Sequence, residues 1–555
     1  MTTPAEALLA ILREEGVTTI FGNPGTSELP FLDALGQAPD IEYVLGVHEG
    51  PLVAMADGYA RATGRPAFVS LHIAAGLANG LVGLLNARRS RTPLVVMAGQ
   101  QDRRHLAQDP MLSGDLLAIS AAGVKESFDV QHAWDLPIMA RRAFAAAVRA
   151  PAGPVFLSVP MDLLAENTDV EVPVRTAVPE PGAALGIRRA AALLAQARRP
   201  ALVVGDGIGR SGSVAEAVAL AETIGADVWH QPLHDGIDFP MSHPLHHGSL
   251  DPVNAAIRST LGGYDAIVII GTHAFLAHHY SPGAAIDSPI PVIQIDDDAT
   301  ELGRNIPLHT ALFGGLAATM TALTKALGDA TDGASERIAA AAVRTETTRV
   351  AVRARAAEVS SNMPMAPRAA CLALVDALPD DIVLVEEAIT TGVVLRPLLG
   401  LDKPGSLRHT VGGGLGSGIG MAIGTRLGDP SRPVVAVLGD GCTLFGLQGL
   451  WTAARRRVDV TFVVMNNAEY RTLKKTLDGW HREGAPAEDY LGLDLHLDND
   501  EVLDFTTAAK FFGVEATRVD EPAELTAALR VGISYPGPYL IDARIAGHRD
   551  HIGQE

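Results

Sequence analysis

The sequence is poor in cysteine, in aromatic residues and in positive charge, and these shortages argue against several classes of protein. Only Cys371 and Cys442 occur among 555 residues, which argues against a disulfide framework and for a reducing compartment. Lysine and arginine number 44 against 64 aspartate and glutamate residues, giving a net charge of −20 that disfavours nucleic acid or anionic membrane as a partner. No apolar run is long enough to cross a bilayer.

The N-terminus and the composition predict a cytoplasmic, globular protein. The opening MTTPAEALLAILREEG has acidic residues and helical spacing where a signal peptide has a basic start and a longer apolar block. Hydrophobic residues make up 47% of the chain and charged residues 19%, which is enough for a large buried core. The length predicts about three units of roughly 150 to 200 residues each.

Short apolar runs recur along the chain, each followed by a glycine-rich turn and a segment with helical periodicity. This alternation is typical of parallel α/β units. We place strands at VTTIFG, IEYVLGV, PAFVSLH, TPLVVMAG and GPVFLSVP, then PALVVGDG, AIVIIGT and PVIQIDD, then DIVLVEEA, VVAVLGDG, VTFVVMNN and PYLIDARI. A proline-rich linker at 168–182 and a connecting helix near 331–359 divide three doubly wound α/β domains at 1–180, 181–350 and 351–555.

The first and last thirds contain an internal echo. GLVGLLNARR (80–89) matches GLQGLWTAAR (446–455) at its glycines and leucines, and VVM occurs in the strand that follows each. The match predicts that the two thirds are duplicated domains. Chance similarity between two amphipathic helices is the alternative.

The stretch LGDG…VVMNN combines a carboxylate with a side-chain amide at two predicted strand ends. Asp440 ends one strand, Asn466 and Asn467 end the next, and a right-handed crossover places the two ends side by side. A carboxylate with an amide oxygen suits Mg²⁺, while Gly439 and Gly441 let the backbone approach a diphosphate at a helix start. Asp-Gly alone is an ordinary turn, but its pairing with the asparagines at this spacing favours a metal site.

Two further glycine-rich stretches and a histidine-rich segment carry weaker signals. PALVVGDGIG (200–209) repeats the GDG without an asparagine pair, so we interpret it as structural or as a relic of nucleotide binding. VGGGLGSGIG (411–420) lacks the acidic residue of a dinucleotide fingerprint and predicts a turn that permits close packing. The histidines within 230–247 lack metal-ligand spacing, and we assign them no role.

GDG followed by NN at this distance resembles the diphosphate-binding motif of thiamine diphosphate enzymes. FGNPGTSELPFL, HEGPLVAMADGYARATGRPAF and LHIAAGLANGLVGLLNA extend the resemblance, which is strongest to the benzoylformate decarboxylases of the 2-keto acid decarboxylase and acetolactate synthase group. The resemblance implies pyrimidine-binding, central and diphosphate-binding domains, with thiamine diphosphate and Mg²⁺ as cofactors. It also implies that the Asp440 and Asn467 side chains and the backbone carbonyl of Glu469 bind the metal.

Four more residues match positions that contact the cofactor in this family. Glu49 matches the glutamate that bonds the pyrimidine ring and promotes removal of the thiazolium proton; a helix-start residue that favours the dipole is the alternative. Leu415 matches the apolar residue that props the bent cofactor, although a core leucine packs in the same way. Thr390 and Thr391 match a polar pair near the diphosphate, with helix capping as the alternative.

The resemblance also implies substrate residues. His72 and His278 match histidines that act on the substrate, where imidazole can move a proton near neutral pH. Thr26 matches a small hydroxyl residue that bonds the substrate carboxylate. The structural alternatives are satisfied core histidines for the first two and a helix N-cap for Thr26, with Ser27 competing for that cap.

The predicted substrate pocket departs from that of the benzoylformate decarboxylases. His409 and Thr476 occupy positions of its aromatic wall, with Met111, Ile389 and Thr472 nearby. A phenyl ring would lose contacts worth on the order of 1 kcal/mol there. A smaller or more polar 2-keto acid therefore remains open beside an aromatic one.

The resemblance predicts decarboxylation of a 2-keto acid to an aldehyde and CO₂. A carboligase of the acetolactate synthase type shares every cofactor motif and is the alternative. A catalytically silent scaffold would be expected to lack Glu49, Asp440 or Asn467, and all three are present. Because the two cofactor-binding domains of this family meet across a subunit boundary, we also predict a homodimer or a dimer of dimers.

Overall fold

The computed structural model describes residues 2–275, 279–287, 289–328, 331–481, 489–497 and 501–548. The chain forms two compact units, one of residues 1–178, 356–395 and 412–555 and one of residues 179–355 and 396–411. Across the described residues, every helix is too short or too polar to span a membrane. Three parallel sheets flanked by helices confirm the predicted α/β fold class.

The first sheet lies in the first unit and has the strand order β2-β1-β3-β4-β6-β5. Its strands are β1 (Thr19–Gly22), β2 (Glu42–Leu45), β3 (Ala67–Leu71), β4 (Leu94–Gln100), β5 (Glu126–Asp129) and β6 (Val155–Pro160). The helices around it are α1 (Pro4–Glu14), α2 (Leu29–Leu35), α3 (Glu49–Thr63), α4 (Ile73–Arg89), α5 (Leu116–Ser120), α6 (Asp135–Val148) and α7 (Met161–Leu164). The central strands β3, β4 and β6 are fully buried, as the continuous apolar runs predict.

The second unit contains the central sheet, with the order β12-β11-β10-β7-β8-β9. Its strands are β7 (Pro200–Val204), β8 (Asp227–His230), β9 (His246–Ser249), β10 (Ala266–Ile270), β11 (Val292–Asp296) and β12 (Thr310–Phe313). The helices are α8 (Ile187–Leu194), α9 (Gly207–Arg210), α10 (Val214–Ile224), α11 (Asn254–Leu261), α12 (Leu316–Leu327) and the predicted connecting helix α13 (Ala334–Ala357). Burial lowers the pKa of His234 to about 3 and that of His246 to about 4, so both imidazoles are neutral at neutral pH.

The last third of the chain supplies the third sheet. Its strands are β13 (Val383–Glu387), β14 (Leu407–His409), β15 (Val434–Gly439), β16 (Val460–Asn466), β17 (Glu515–Val519) and β18 (Tyr539–Arg544). Its helices are α14 (Pro367–Ala377), α15 (Ile389–Leu395), α16 (Gly418–Gly428), α17 (Asp440–Gly446), α18 (Gly449–Arg456), α19 (Arg471–Trp480), α20 (Phe505–Phe511) and α21 (Pro522–Ser534).

The first and third sheets repeat one topology. Within the first unit, the third sheet runs β13-β15-β16-β18-β17, which matches the order β1-β3-β4-β6-β5 of the first sheet strand for strand. The echoed sequences fall at corresponding places, in α4 before β4 and in and before α18, which precedes β16. The shared topology supports the predicted duplication over chance similarity.

Helices α3 and α16 pack closely and join the two duplicated halves of the first unit. A Cβ added to Gly420 would lie 2.2 Å from the carbonyl oxygen of Pro51, and one added to Gly424 would lie 1.8 Å from that of Met55. Glycines therefore let the two backbones touch, as the 411–420 stretch predicts. A shared apolar core runs from Phe21 to Phe462 on the two sheets. This packing places the start of α3 beside the start of α16.

Candidate cofactor and substrate site

Asp440 lies at the carboxyl edge of the third sheet, where β15 ends and α17 begins. β15 pairs in parallel with β16, so Asp440 and Asn467 follow neighbouring strands. The Asp440 carboxylate accepts the backbone N–H of Gly441 at 2.7 Å and that of Asn467 at 3.0 Å. Burial raises the pKa of Asp440 to about 6, and the backbone N–H donors offset only part of that rise.

The two asparagines at the end of β16 have different roles. Asn466 is buried and donates to the carbonyl of Leu503 at 3.1 Å and to the Asp542 carboxylate at 2.8 Å, so it holds the core together. Asn467 accepts the backbone N–H of Glu469 at 3.1 Å through its side-chain oxygen. Ala468 between them has a φ of 55°, a conformation that residues with a Cβ rarely adopt. The turn at 467–469 is thus held in an unusual shape beside Asp440.

A buried lysine that sequence reasoning missed braces this turn. Lys474, on α19, bonds the Glu469 carboxylate at 2.5 Å and also pairs with Asp494. Its ammonium lies 5.0 Å from the centre of the Tyr490 ring. The carboxylate of Glu469 is occupied by these contacts and by the backbone N–H of His548, which leaves the backbone of Glu469 for the predicted metal role.

Packing requires glycine on only one side of Asp440. A Cβ at Gly441 would lie 2.6 Å from the Tyr470 ring, so packing demands glycine there. A Cβ at Gly439 would make only ordinary contacts, the nearest at 3.5 Å from the Cys442 sulfur. Packing therefore does not require glycine at position 439, and its role beside a diphosphate stays a prediction.

Leu415 lies partly exposed in the loop before α16, and two buried side chains anchor this loop. Glu387, at the end of β13, accepts the backbone N–H of Ser417 at 3.0 Å and of Gly418 at 2.8 Å. Asn86 donates to the carbonyl of Gly414 at 2.8 Å and accepts its N–H at 3.0 Å. Burial raises the pKa of Glu387 to about 7 despite its backbone N–H donors. Neither Glu387 nor Asn86 belongs to a recognisable sequence motif, so the sequence alone did not identify them.

Thr390 and Thr391 lie in the first turn of α15, which begins at Ile389. The Thr390 hydroxyl is 2.6 Å from the hydroxyl of Thr472 on α19, and Thr391 is buried. Thr476 lies one turn beyond Thr472 and donates to its carbonyl oxygen at 2.9 Å. The structure therefore brings four predicted residues, Ile389, Thr390, Thr472 and Thr476, to one pair of helix ends.

Glu49 opens α3, and two amide side chains fix its carboxylate. Asn23 donates to one oxygen at 2.9 Å and Asn79, on α4, donates to the other at 3.1 Å. A Cβ on Gly76 would lie 3.0 Å from the Glu49 carboxylate, so α4 passes close to it. A glutamate that merely favoured the helix dipole would not need two side-chain donors, and this geometry favours the cofactor role.

His72 lies at the end of β3 and pairs with a buried carboxylate that the sequence did not single out. Its Nδ1 is 3.0 Å from Glu28, which also accepts the backbone N–H of Gly25 and of Gly99, each at 2.9 Å. A Cβ on Gly25 would lie 2.0 Å from the same ring nitrogen. The next residue, Ile73, has a φ of 45°, a strained value for a β-branched residue. His72 is therefore tightly positioned.

The loop 23–28 serves both Glu49 and His72. Thr26 is exposed and does not cap the short 3-10 helix at Thr26–Glu28, whose N-cap is Gly25, so the capping alternative is wrong. Ser27 is buried and donates to Glu28 at 2.7 Å, with its hydroxyl 3.3 Å from His72. The backbone carbonyl of Thr26 accepts the N–H of Leu29, but its hydroxyl makes no hydrogen bond with the other described residues.

Three other predicted substrate residues lie on other segments of the chain. Met111 is 82% exposed in the loop after β4. His409 ends β14 in the second unit and donates its backbone N–H to the carbonyl of Asp235 at 3.0 Å. His278 lies outside the described residues.

Comparison with protein families gives three matches in chain order. They are described as the N-terminal TPP binding domain of thiamine pyrophosphate enzymes at residues 2–119, the central domain at 187–323, and the C-terminal TPP binding domain at 391–543. Thiamine pyrophosphate is another name for thiamine diphosphate. The matches confirm the predicted resemblance.

Individual relatives match along almost the whole chain. The benzoylformate decarboxylase of Pseudomonas aeruginosa is 34% identical over 98% of both chains. The acetolactate synthase isozyme 1 large subunit of Escherichia coli is 27% identical over 98% of this chain and 94% of its own. Among solved structures, the thiamine diphosphate-dependent 4-hydroxybenzoylformate decarboxylase of Rhodococcus jostii RHA1 has a TM-score of 0.86 at 30% identity, covering 98% of this chain and 99% of its own.

Proposed function

The chain belongs to the thiamine pyrophosphate enzyme family, and on that premise we propose that it decarboxylates a 2-keto acid to an aldehyde and CO₂ with thiamine diphosphate and Mg²⁺. The observation that carries the proposal is that the loop 23–28 holds both Glu49, through Asn23, and His72, through Glu28, while Asn79 of α4 also bonds Glu49. We assign the carboxylate of Glu49 to the cofactor and the imidazole of His72 to the substrate.

The oxygen donors near Asp440 fit Mg²⁺. A buried carboxylate, the side-chain oxygen of Asn467 and the backbone carbonyl of Glu469 are hard oxygen ligands, and Mg²⁺ fills its remaining positions with phosphate oxygens and water. The backbone N–H groups at the start of α17 would offer hydrogen bonds to the diphosphate when the cofactor is bound. When bound, thiamine diphosphate supplies the electron sink that accepts the electron pair released with CO₂.

The protein's own residues orient the reactants and move protons. Glu49 holds a proton at the pyrimidine ring, and its fixed carboxylate keeps that proton on the ring side. His72, paired with Glu28, delivers a proton to the former keto carbon so that the aldehyde can leave, and His278 shares this work. Thr26, exposed and internally unbonded among the described contacts, donates its hydroxyl to the substrate carboxylate before CO₂ departs.

We place part of the substrate-binding wall near the N-terminal ends of α15 and α19, while Met111 and His409 stay contributors predicted from the resemblance. Ile389 is apolar, whereas the hydroxyls of Thr472 and Thr476 make hydrogen bonds within the protein. These three described side chains can accept an apolar substrate group of moderate size, and none of the three carries an aromatic ring on which a phenyl group could stack. We therefore propose an aliphatic or small polar 2-keto acid over benzoylformate.

We also propose that the protein is at least a homodimer, with each active site built from two chains. Large apolar side chains near the cofactor segments are exposed in the single chain, namely Ile389, Val393, Phe445 and Leu473. Several large exposed apolar side chains near a functional site are consistent with an interface. Light scattering of the holoenzyme tests this, and an active monomer would overturn it.

Carboligation is the second candidate, because an acetolactate synthase subunit also matches the whole chain. The test is turnover of a panel of 2-keto acids by the holoenzyme, with and without an added aldehyde acceptor. A decarboxylase releases aldehyde and CO₂ without acceptor, whereas a carboligase forms a longer hydroxyketone. If the holoenzyme releases CO₂ from none of these acids, both candidate functions are excluded.

A further inference from the structure

Three buried side chains with metal-binding chemistry meet in the second unit. His230 ends β8, and His234 and Asp238 lie in the loop that leads to β9. All three are buried, and their potential ligand atoms lie within 4.8 Å of one another. The spacing of four residues is not that of a helix here; the loop folds back on the strand end and brings the side chains together.

A chain of hydrogen bonds fixes which nitrogen of His230 carries the proton. Nδ1 of His246 lies 3.1 Å from the carbonyl of Met241, so it must donate, and Nε2 of His246 is left to accept. Nδ1 of His230 donates to it at 2.9 Å. The lone pair of His230 is therefore on Nε2, which has no hydrogen-bond partner among the described residues and lies 3.7 Å from the Asp238 carboxylate.

The other two side chains are oriented in the same manner. Nδ1 of His234 lies 3.0 Å from the carbonyl of Gly236 and donates to it, so its lone pair is on Nε2, 3.2 Å from the Ser249 hydroxyl. One oxygen of Asp238 accepts the backbone N–H of Gly209 at 3.1 Å, and the other oxygen is the one nearest His230. Each N–H points away from the cluster, and electron pairs face into it.

Two arginines and a second carboxylate near the cluster keep the loop in place. Arg210 lies 3.5 Å from Asp235 and 4.0 Å from Asp206, and Arg396 donates to the backbone carbonyl of His234 at 3.3 Å. Asp206, in the second GDG, accepts the backbone N–H of Asp235 at 2.8 Å. Buried lone pairs that face a carboxylate are unfavourable unless a proton or a cation lies between them.

We propose that His230, His234 and Asp238 bind one divalent transition metal ion of the chemical type of Zn²⁺, which fixes the loop between β8 and β9. Two neutral imidazoles and a carboxylate are a ligand set that such ions prefer. His246 and the backbone groups of Gly236 and Gly209 orient the ligands from behind, as partners of metal-binding residues do.

The fit requires a small contraction between His230 and Asp238 and a rotation of the imidazole rings, because the His230 and His234 rings are now stacked with 4.3 Å between their centroids and 21° between their planes. A tetrahedral ion with bonds of about 2 Å holds its ligands roughly 3.3 Å apart, and His230 and Asp238 are already 3.7 Å apart. At His234 the ion takes the place of the Ser249 hydroxyl. The site is separate from the Mg²⁺ site predicted at Asp440, so the two metals can be distinguished by variants of either.

Elemental analysis of the full-length protein, produced in zinc-supplemented medium and desalted, tests the proposal. We expect about one zinc ion per chain in the wild type, retained in Asp440→Asn and in the control His243→Ala. His243 lies in the same segment, and its ring pairs with Glu222 at 3.2 Å. Zinc should be lost from His234→Ala and from the nearly isosteric Asp238→Asn.

X-ray absorption at the zinc edge of the wild type adds a measurement that does not depend on how the variants fold. We expect imidazole ligands at about 2.0 to 2.1 Å. Wild-type protein without zinc would overturn the proposal and leave a shared proton between His230 and Asp238 as the explanation. Zinc retained by both variants, or a spectrum without imidazole ligands, would also overturn it.

Discussion

The raised pKa of Asp440 predicts that Mg²⁺ affinity depends on pH. Burial moves this pKa from 3.8 to about 6, a rise of about two units, and each unit corresponds to about 1.4 kcal/mol. Keeping Asp440 ionised in the metal-free protein therefore costs on the order of 3 kcal/mol. Because the metal binds the carboxylate and not the acid, proton and Mg²⁺ compete for the same group.

The direction of the effect follows from that competition. Below about pH 6 the affinity for Mg²⁺ should fall about tenfold per pH unit, and above it the affinity should level off. The folding stability of the metal-free protein should depend on pH in the opposite direction. Its folded state binds the Asp440 proton more tightly than the unfolded state, so this contribution to stability is full below about pH 4 and is lost as pH rises through about 6.

Calorimetric titration of Mg²⁺ into the protein with thiamine diphosphate, at half-unit steps from pH 5 to 7.5, measures the effect. The diphosphate also takes up a proton near pH 6, so the matched control is Asp440→Asn, which retains the cofactor's titration alone. The difference between the two proteins should show one extra proton released per Mg²⁺ below pH 6. Equal pH dependence in both proteins would refute the role of Asp440.

Three further substitutions test the site. Glu49→Gln keeps the shape of the side chain but removes the carboxylate that holds the proton. We therefore expect kcat to fall by about 100-fold or more, while the affinity for thiamine diphosphate, measured by fluorescence titration, changes little. Unchanged turnover would contradict the mechanism. Gly25→Ala places a Cβ 2.0 Å from His72, so kcat/KM should fall with cofactor affinity unchanged. Gly441→Ala places a Cβ 2.6 Å from the Tyr470 ring, and overpacking should destabilise the fold by about 1 to 3 kcal/mol in thermal unfolding.

The sequence predicted the interior strands and missed strands at the sheet edges. All twelve apolar runs are strands, and eleven of them are interior strands, which are buried on both faces and read as continuous apolar segments; the twelfth is the edge strand β2. The edge strands β5, β9, β12, β14 and β17 escaped prediction, as did the short interior strand β8. Their residues alternate between buried and exposed or are largely exposed, so they lack the apolar signal.

The site shows a similar division. The pairing of Asp440 with Asn467 follows from one crossover between neighbouring strands, which the sequence reveals. Glu28 and Lys474 could not be found in that way, because each is a buried charge whose partners include residues distant in sequence or on another element. A signal for such residues exists only once the fold is known, since charged side chains are usually exposed.

The second GDG supports a loop whose course the sequence does not reveal. The histidines of the 230–247 segment have no recognised metal-ligand spacing, yet a loop places His230, His234 and Asp238 together. Asp206 and Gly209 of the GDGIG stretch hold that loop through hydrogen bonds. The stretch is therefore structural, one of the two interpretations that the sequence allowed.

The most direct measurement for the account as a whole is the stoichiometry of products from the holoenzyme supplied with aliphatic, polar and aromatic 2-keto acids. The account predicts one CO₂ and one aldehyde per acid consumed, with an aliphatic or small polar acid preferred over benzoylformate, and loss of both products in Glu49→Gln. Contradiction would come from a holoenzyme with bound thiamine diphosphate and Mg²⁺ that releases no CO₂ from any of these acids.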